Sequence, residues 1–209
     1  MSVSLTFFFL CEGTSDEALV EHLETLILRE GVSEALGIPR SGSAPVLEKL
    51  KALRDEDNTF DFVLVHRDAD GRDPSPRIAE IQSALKESGL PGCPVVPVQM
   101  TEAWLLVDEQ AIRDAVGRPS GREPMSLPNL NGIERTHDPK AVLKAALLAA
   151  TGTSGRKHRR AVTQWSTNRR ILLQRLDVDG PVRQLESWQR LEQDLSVAVR
   201  ELMAGQTSP

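Results

Sequence analysis

Cysteine is scarce in this chain, which argues against a disulfide-bonded or zinc-binding fold. Cys11 and Cys93 are the only two cysteines, and neither lies in a CxxC pair or another spacing typical of zinc sites. Two cysteines do not make a disulfide framework either. Cys11 is expected to be a small buried hydrophobic residue, because nothing near it in the sequence would activate a thiolate.

Long apolar runs and a nucleotide-binding P-loop are also missing. The first apolar run, residues 5–10, is too short to span a bilayer, and no basic segment precedes it as in a signal peptide. We therefore predict a soluble, cytoplasmic protein without a membrane partner. The sequence has no GxxxxGK[ST] motif, so any ATPase that works with this protein is expected to be a separate partner chain.

Length and charge indicate one main core with two differently charged parts. The 209 residues, 40% of them hydrophobic, suffice for one sizeable core. The net charge is −5, but residues 1–150 carry −9 and residues 151–209 carry +4. An acidic face beside a basic strip suits an enzyme that holds a metal ion and a polyanion together.

Short apolar runs alternate with helical patterns in the first half of the chain. Three runs indicate strands: residues 5–10, 62–65 and 95–98. A capping box at Thr14 and Glu17 is expected to open the first helix. The alternation predicts an α/β fold with a Rossmann-like parallel sheet flanked by helices. We expect residues 1–116 to form this core, and residues 117–209 to add a long loop (117–137) and a mainly helical extension packed on the core.

Acidic residues follow each of the three predicted strands. Glu12 comes after the first strand, Asp68-x-Asp70 after the second and Glu102 after the third. The carboxyl ends of parallel strands meet at one edge of a sheet, where ligands bind. Carboxylates gathered there would repel one another without a positive charge between them, and Mg²⁺ or Mn²⁺ with oxygen ligands is the natural candidate. The pattern therefore predicts a metal site formed by Glu12, Asp68, Asp70 and Glu102.

Each of these acids also has a structural alternative. A glycine follows Asp70, and Asp-Gly is a common turn dipeptide. Glu12 and Glu102 lie close to predicted helix starts, where a carboxylate stabilises the helix dipole. Asp16 and Asp73 are weaker candidates, since they fit turn or first-turn positions.

Basic residues concentrate in the C-terminal part. Residues 156–175 contain seven lysines and arginines and no acid, so this strip either contacts nucleic acid or forms a solvated surface. The candidates for nucleic-acid contact are Arg156, Lys157, Arg159, Arg160, Arg169 and Arg170. Lys140 lies in the first turn of a helix predicted to start at Asp138, where it could stabilise charge on a transferring phosphoryl group; the alternative is an exposed lysine.

Taken together, these motifs resemble the Toprim domain of topoisomerases, primases and OLD-family nucleases. The likeness is closer to bacterial Toprim-like domains of unknown function, which are often found near phage-defence or restriction loci. The segments that carry the closer likeness are Glu102-Ala-Trp104, Asp138-Pro139-Lys140 and Ser187-Trp188. The resemblance implies that Asp68 and Asp70 hold Mg²⁺ and that Glu12 is the acid/base candidate.

Two features depart from the Toprim pattern. That fold needs a strand between the first helix and the Asp68-x-Asp70 strand, but residues 32–44 have no good strand pattern, so this strand is expected to be short or missing. His66 and Arg67 stand before Asp68, where apolar residues are expected. His66 is interpreted as a core residue or a support for a ligand rather than as a ligand itself.

The leading hypothesis is a metal-dependent nuclease or related phosphodiester-cleaving enzyme of the Toprim type, with a role in phage defence. Bound Mg²⁺ or Mn²⁺ would polarise the phosphate of a nucleic acid. The alternatives are a non-catalytic nucleic-acid or nucleotide-binding subunit of a defence system, and a small-molecule phosphohydrolase or phosphotransferase. The apolar stripe of the last predicted helix can pack on the core or on a second copy of the chain, as in a homodimer.

Overall fold

Four parallel strands form the sheet at the centre of the described part of the chain. The structure, a computed structural model, describes residues 3–56, 58–154, 159 and 161–206. The strands are β1 (Ser4–Cys11), β2 (Glu34–Ser41), β3 (Phe62–His66) and β4 (Gly92–Val95). Their order across the sheet is β2-β1-β3-β4. This confirms the predicted α/β class with a parallel, Rossmann-like sheet.

Helices connect the strands and then make up most of the C-terminal part. The connecting helices are α1 (Leu19–Leu28), α2 (Val46–Asp55) and α3 (Ser75–Ser88). The later helices are α4 (Glu102–Leu105), α5 (Glu109–Ala115), α6 (Leu130–Ile133), α7 (Pro139–Ala150), α8 (Trp165–Gln174) and α9 (Glu186–Gln206). In the part of the chain that the structure describes, no helix combines the length and apolar character needed to cross a bilayer.

Side chains alternate along β1 and divide the core between the two faces of the sheet. Phe7 and Phe9 belong to the larger core, which is formed with α1 and the helices from α4 onward. Phe8 and Leu10 belong to the smaller core with α2 and α3. The larger core runs without a break from β1 to α9, so the predicted parts 1–116 and 117–209 share one core.

The expectation that the strand within residues 32–44 would be short or missing is wrong. β2 has 8 residues and pairs in parallel with β1 along its whole length. Its apolar pattern is weak because it is an edge strand with largely exposed side chains, as at Leu36. Gly37 serves close packing, since a Cβ atom there would collide with the side chains of Val20 and Phe7.

The outer edge of β2 is protected against pairing with another chain. The Gly37 N–H donates a hydrogen bond of 2.8 Å to the Glu24 carboxylate on α1. Pro39 lies two residues further on the same edge and has no N–H to donate. Both features reduce the risk of edge-to-edge association.

Two motif segments that are distant in sequence meet in the core. The rings of Trp104 and Trp188 pack edge to face with centroids 5.0 Å apart. The Trp104 Nε1–H donates to Ser187 Oγ at 2.8 Å. The Glu134 carboxylate accepts the N–H groups of Glu186 and Ser187 and so caps the start of α9. These contacts attach α9 to α4, the first helix after β4.

Local signals predicted some element ends correctly and others wrongly. The Asp138 carboxylate accepts the Ala141 N–H at 2.8 Å, and α7 starts where the sequence predicts. The capping box is wrong, because Thr14–Asp16 form a 3₁₀ turn and α1 begins only at Leu19. The third predicted strand, 95–98, lies earlier, at Gly92–Val95.

Candidate functional site

The carboxyl ends of β1, β3 and β4 meet at one edge of the sheet, where the acidic residues predicted from the sequence lie. Glu12 directly follows β1, Asp68 comes two residues after β3, and Glu102 opens α4 after β4. Asp16, from the 3₁₀ turn after β1, joins them, since the charges of Asp16 and Glu102 both act on Asp68. The sequence rated Asp16 as a weaker candidate, although it lies only four residues after Glu12.

Arg169 on α8 provides the positive charge between two of these acids. Its Nε donates to Glu102 Oε1 at 2.8 Å, and its Nη2 donates to Asp16 Oδ1 at 2.7 Å. Its Nη1 donates to the backbone oxygen of Ser15 at 2.7 Å. The side chains of Arg169 and Glu102 are 8% and 6% exposed, so this is a buried, fully hydrogen-bonded ion cluster. The acidic pattern in the sequence predicted a metal ion, rather than an arginine, as the positive charge between these carboxylates.

This cluster corrects the interpretation of the basic strip. Arg169 was expected on a surface that contacts nucleic acid, but its guanidinium is buried and faces the acidic edge. Arg170 and Arg159 are exposed, as a contact surface requires. Three further residues of the strip lie outside the described residues: Arg156, Lys157 and Arg160.

The protonation of the cluster follows from its burial and its charges. Burial alone would raise the pKa of Asp16, but the positive charges of His66, in its protonated form, and of Arg169 bring that pKa below its usual value. Burial alone would lower the pKa of Arg169, and the Glu102 and Asp16 carboxylates instead raise it. Asp16 and Arg169 therefore stay charged at neutral pH and hold each other in place.

Asp68 has different surroundings from the other acids of the edge. Its Oδ1 accepts the Thr101 N–H at 3.0 Å and the Thr101 hydroxyl at 3.3 Å. Burial, followed by the charges of Asp16 and Glu102, raises the pKa of Asp68 to about 7, although the hydrogen bonds from Thr101 oppose the rise. In the described part of the chain, Asp68 is the one acid of this edge without an arginine or lysine partner.

His66 supports Asp68 indirectly, through Thr101. The ring is buried, and its Nε2 lies 2.9 Å from Thr101 Oγ1. Burial, the largest effect, lowers the pKa of His66, so the ring is neutral at pH 7. His66 thus holds the threonine that holds Asp68, consistent with a supporting role.

Glu12 and Asp70 are paired with arginines. Arg67 Nε lies 2.5 Å from Glu12 Oε1, and Arg77 Nη2 lies 3.0 Å from Asp70 Oδ2. Asp70 has a positive φ of 52° and a side chain that is 66% exposed, which fits the turn alternative. Among the described residues, no three His, Cys, Asp or Glu side chains are grouped so that they could hold a metal ion.

Lys49 is a neighbour of the site that the sequence analysis missed. Its Nζ donates a hydrogen bond of 3.0 Å to the backbone oxygen of Cys11, next to Glu12. Burial lowers the pKa of Lys49, and the positive charge of Arg67 adds to this effect. The sequence contains only a weak signal for this position: Lys49 lies in a predicted helix, next to the apolar face that contains Val46 and Leu50.

A pocket of about 650 Å³ adjoins the edge between α1, α7 and α8. Glu102 and Arg169 line it together with Lys140, so the structure brings Lys140 beside this cluster. The pocket is lined by Thr14, Ser15, Glu17, Ala18, Glu21, Glu102, Lys140, Trp165, Ser166, Arg169, Arg170 and Gln174. Asp68 and Asp70 are not among these residues.

Replacing Asp68 with asparagine should stabilise the metal-free protein at pH 8 by up to about 4 kcal/mol. The pKa of Asp68 is about 7 in the folded protein and about 3.9 in an unfolded chain. The folded protein therefore binds this proton more tightly, and the wild type loses stability as the pH rises from about 4 to about 7. Asparagine cannot ionise, yet its oxygen can still accept the Thr101 N–H.

Urea unfolding in EDTA at several pH values checks this prediction. The difference between Asp68→Asn and wild type should be small near pH 4 and should grow toward pH 8. Asp70→Asn is the matched control, because the Asp70 carboxylate is exposed and paired with Arg77. A difference in unfolding free energy that does not change with pH would contradict a raised pKa for the Asp68 carboxylate.

Comparisons with protein-family models, with curated proteins and with solved structures found no match for this chain. Function therefore has to be inferred from the geometry of the edge formed by Glu12, Asp68 and Glu102. That edge contains a cluster of carboxylates and several cationic side chains, and a polar pocket adjoins it.

Proposed function

We propose that this protein is a Mg²⁺- or Mn²⁺-dependent enzyme of the Toprim type that cleaves phosphodiester bonds in nucleic acid, with a role in phage defence. The observation that carries the proposal is the environment of Asp68. This carboxylate lies at the mouth of a central strand, beside two other acids and without a cationic side-chain partner among the described residues. A divalent cation would favour its ionised form.

The residues present fit a metal ion that binds together with substrate. Mg²⁺ commonly uses one or two carboxylates and completes its octahedral shell with water and substrate phosphates. Asp68 can supply one carboxylate, and Glu12, whose side chain is 51% exposed, can supply a second. No third His, Cys, Asp or Glu is grouped with them in the described part of the chain, so water and substrate would have to supply the rest of the shell. A bound metal ion would polarise the phosphate and stabilise the charge that develops on it.

Other side chains at this edge would orient the metal ligand, transfer protons and bind the phosphate. Thr101 and His66 orient Asp68. If Glu12 does not share the ion, its exposed carboxylate directly after β1 is the candidate acid/base group. Lys49 and Arg67 place positive charge beside Glu12, where it can attract and orient a phosphate. In this proposal Glu102 holds Arg169 and α8 in place rather than the metal ion, because its carboxylate is bound to that guanidinium.

The nucleic-acid backbone would extend from this edge toward the basic strip. Arg159 and Arg170 are exposed there, and Lys140 lies in the adjoining pocket. Such contacts neutralise phosphates and make binding depend on salt.

A second candidate is a binding subunit that uses this surface without turnover. The observation in its favour is that Glu12 and Asp70 each have an arginine partner, Arg67 and Arg77, which competes with a metal ion for them. Binding of nucleic acid that is independent of metal and falls steeply with salt would favour this candidate.

Calorimetric titration of Mn²⁺ and Mg²⁺ tests the proposal, with a single-stranded oligonucleotide present to supply phosphates. We expect saturable binding to wild type and at least about tenfold weaker binding to Asp68→Asn. Affinity for the wild type should rise between about pH 6 and pH 8, because the metal competes with the proton on Asp68. Asp73→Asn is the control, since Asp73 is exposed and asparagine can still accept the Ser75 N–H. Equal metal binding by wild type and Asp68→Asn would exclude the assignment.

A further inference from the structure

The pocket between α1, α7 and α8 has walls of opposite charge. On one side, the side chains of Lys140 on α7 and Arg170 on α8 have no ion pair or hydrogen bond among the described residues. On the other side, the side chains of Glu17, in the turn before α1, and Glu21, in the first turn of α1, also have no cationic partner among the described residues. A ligand that fits both sides needs an anionic end and an end with hydrogen-bond donors.

Trp165 gives the same pocket an aromatic wall. The chain has three tryptophans, and two of them, Trp104 and Trp188, are buried in the core. Trp165 is partly exposed and lines the pocket beside Arg170. Lys144, which does not line this pocket, lies over the ring, 5.0 Å from its centre. An accessible indole next to cations is the arrangement by which proteins stack the bases of single-stranded nucleic acids.

The size of the pocket limits what can enter it. A volume of about 650 Å³ lies within the range of small-molecule sites and is far too small for a duplex. Glu102 and Arg169 form part of its lining, and Arg169 also holds Asp16, whose charge acts on Asp68. A ligand in the pocket therefore lies beside the proposed metal edge.

We propose that this pocket binds one nucleotide unit, with its phosphate on Lys140 and Arg170 and its base on Trp165. Glu17 and Glu21 can accept hydrogen bonds from the exocyclic amino group of a base. Adenine and cytosine carry that group and uracil does not, so the pocket should prefer the amino-bearing bases.

This inference deepens the proposed function, because it names the substrate unit held beside the metal edge, but binding itself needs no metal and no cleavage. The probes are AMP, CMP, UMP and inorganic phosphate, added in EDTA while tryptophan fluorescence is recorded. Since the other two tryptophans are buried, a change in fluorescence reports on Trp165. AMP and CMP should bind several-fold more tightly than UMP, and Glu17→Gln with Glu21→Gln should reduce that preference.

Three variants of the folded protein make the test specific. Lys140→Gln with Arg170→Gln should weaken AMP binding at least about tenfold. Trp165→Leu should remove the fluorescence change and, by calorimetry, weaken AMP binding about tenfold. Lys86→Gln, at an exposed lysine of α3, should leave binding unchanged. Thermal melting of each variant establishes that it is folded.

The outcomes separate this inference from the proposed function. Asp68→Asn should bind AMP like the wild type. Wild-type protein that binds AMP but shows no metal-dependent cleavage of nucleic acid would support the pocket and contradict the proposed enzymatic activity. A 5′-phosphorylated trinucleotide that binds at least as tightly as AMP identifies a unit of a strand as the ligand, and binding of AMP alone identifies a free nucleotide. If no mononucleotide binds wild type, or if the Lys140 and Arg170 double variant binds AMP normally, the inference is wrong.

Discussion

Replacing Arg169 with methionine should lower the free energy of unfolding at pH 7 by about 3–5 kcal/mol, the usual cost of removing one partner from a buried ion pair. Methionine keeps the volume of the side chain but leaves the carboxylates of Asp16 and Glu102 without their hydrogen-bonding cation. Because these two side chains are only 12% and 6% exposed, water cannot fully replace it. Urea unfolding of both proteins gives the difference.

Two further measurements distinguish the ion cluster from a general packing effect. Arg170→Met changes the next residue, which is exposed, and should alter stability by no more than about 0.5 kcal/mol. Adding Asp16→Asn and Glu102→Gln to Arg169→Met should recover much of the loss, since neutral side chains need no buried cation. If the triple variant is as unstable as Arg169→Met alone, unpaired charge is not the cause.

Asp68→Asn should reduce Mn²⁺-dependent cleavage of nucleic acid by at least about 10³-fold, the scale on which transition-state charge stabilisation is lost. The physical reason is that Asp68 is the proposed metal ligand and has no competing cationic partner among the described residues. Asp70→Asn should have a smaller effect, because Asp70 is exposed and paired with Arg77. Single-turnover assays on single- and double-stranded oligonucleotides measure both losses.

The cleavage result can be separated from misfolding. Asp68→Asn is expected to be at least as stable as the wild type, so its loss of activity cannot come from unfolding. Asp73→Asn, at the exposed start of α3, should cleave at the wild-type rate. Cleavage by Asp68→Asn that matches wild type and still requires Mn²⁺ would place the metal ion elsewhere.

The expected effects on stability have opposite signs: Arg169→Met should destabilise the fold, whereas Asp68→Asn should stabilise it at pH 8. Arg169 stabilises the fold by compensating Asp16 and Glu102, whereas Asp68 destabilises it, since its charge is uncompensated and partly buried. A carboxylate that lowers the stability of the fold, beside carboxylates that are paired with a cation, is typical of functional sites, where reactivity is often gained at the expense of stability.

Local patterns in the sequence determined most of the elements and the position of the acids. The apolar runs of β1 and β3 predict buried central strands because both faces of such strands are covered. The Asp138-Pro139 start of α7 is a local signal, and the structure contains it at that place. That Glu12, Asp68 and Glu102 share one edge follows from the parallel topology once the strands are known.

Only the tertiary structure decided how the charges are compensated. Arg169 lies 67 residues from Glu102 and 153 from Asp16, and no local spacing indicates which of the clustered arginines turns inward. The edge strand β2 is stabilised by its pairing with β1, so its own sequence carries little strand signal. Burial and partner charges act through space, and they alone make Asp68 differ from Asp70, two residues away along the chain.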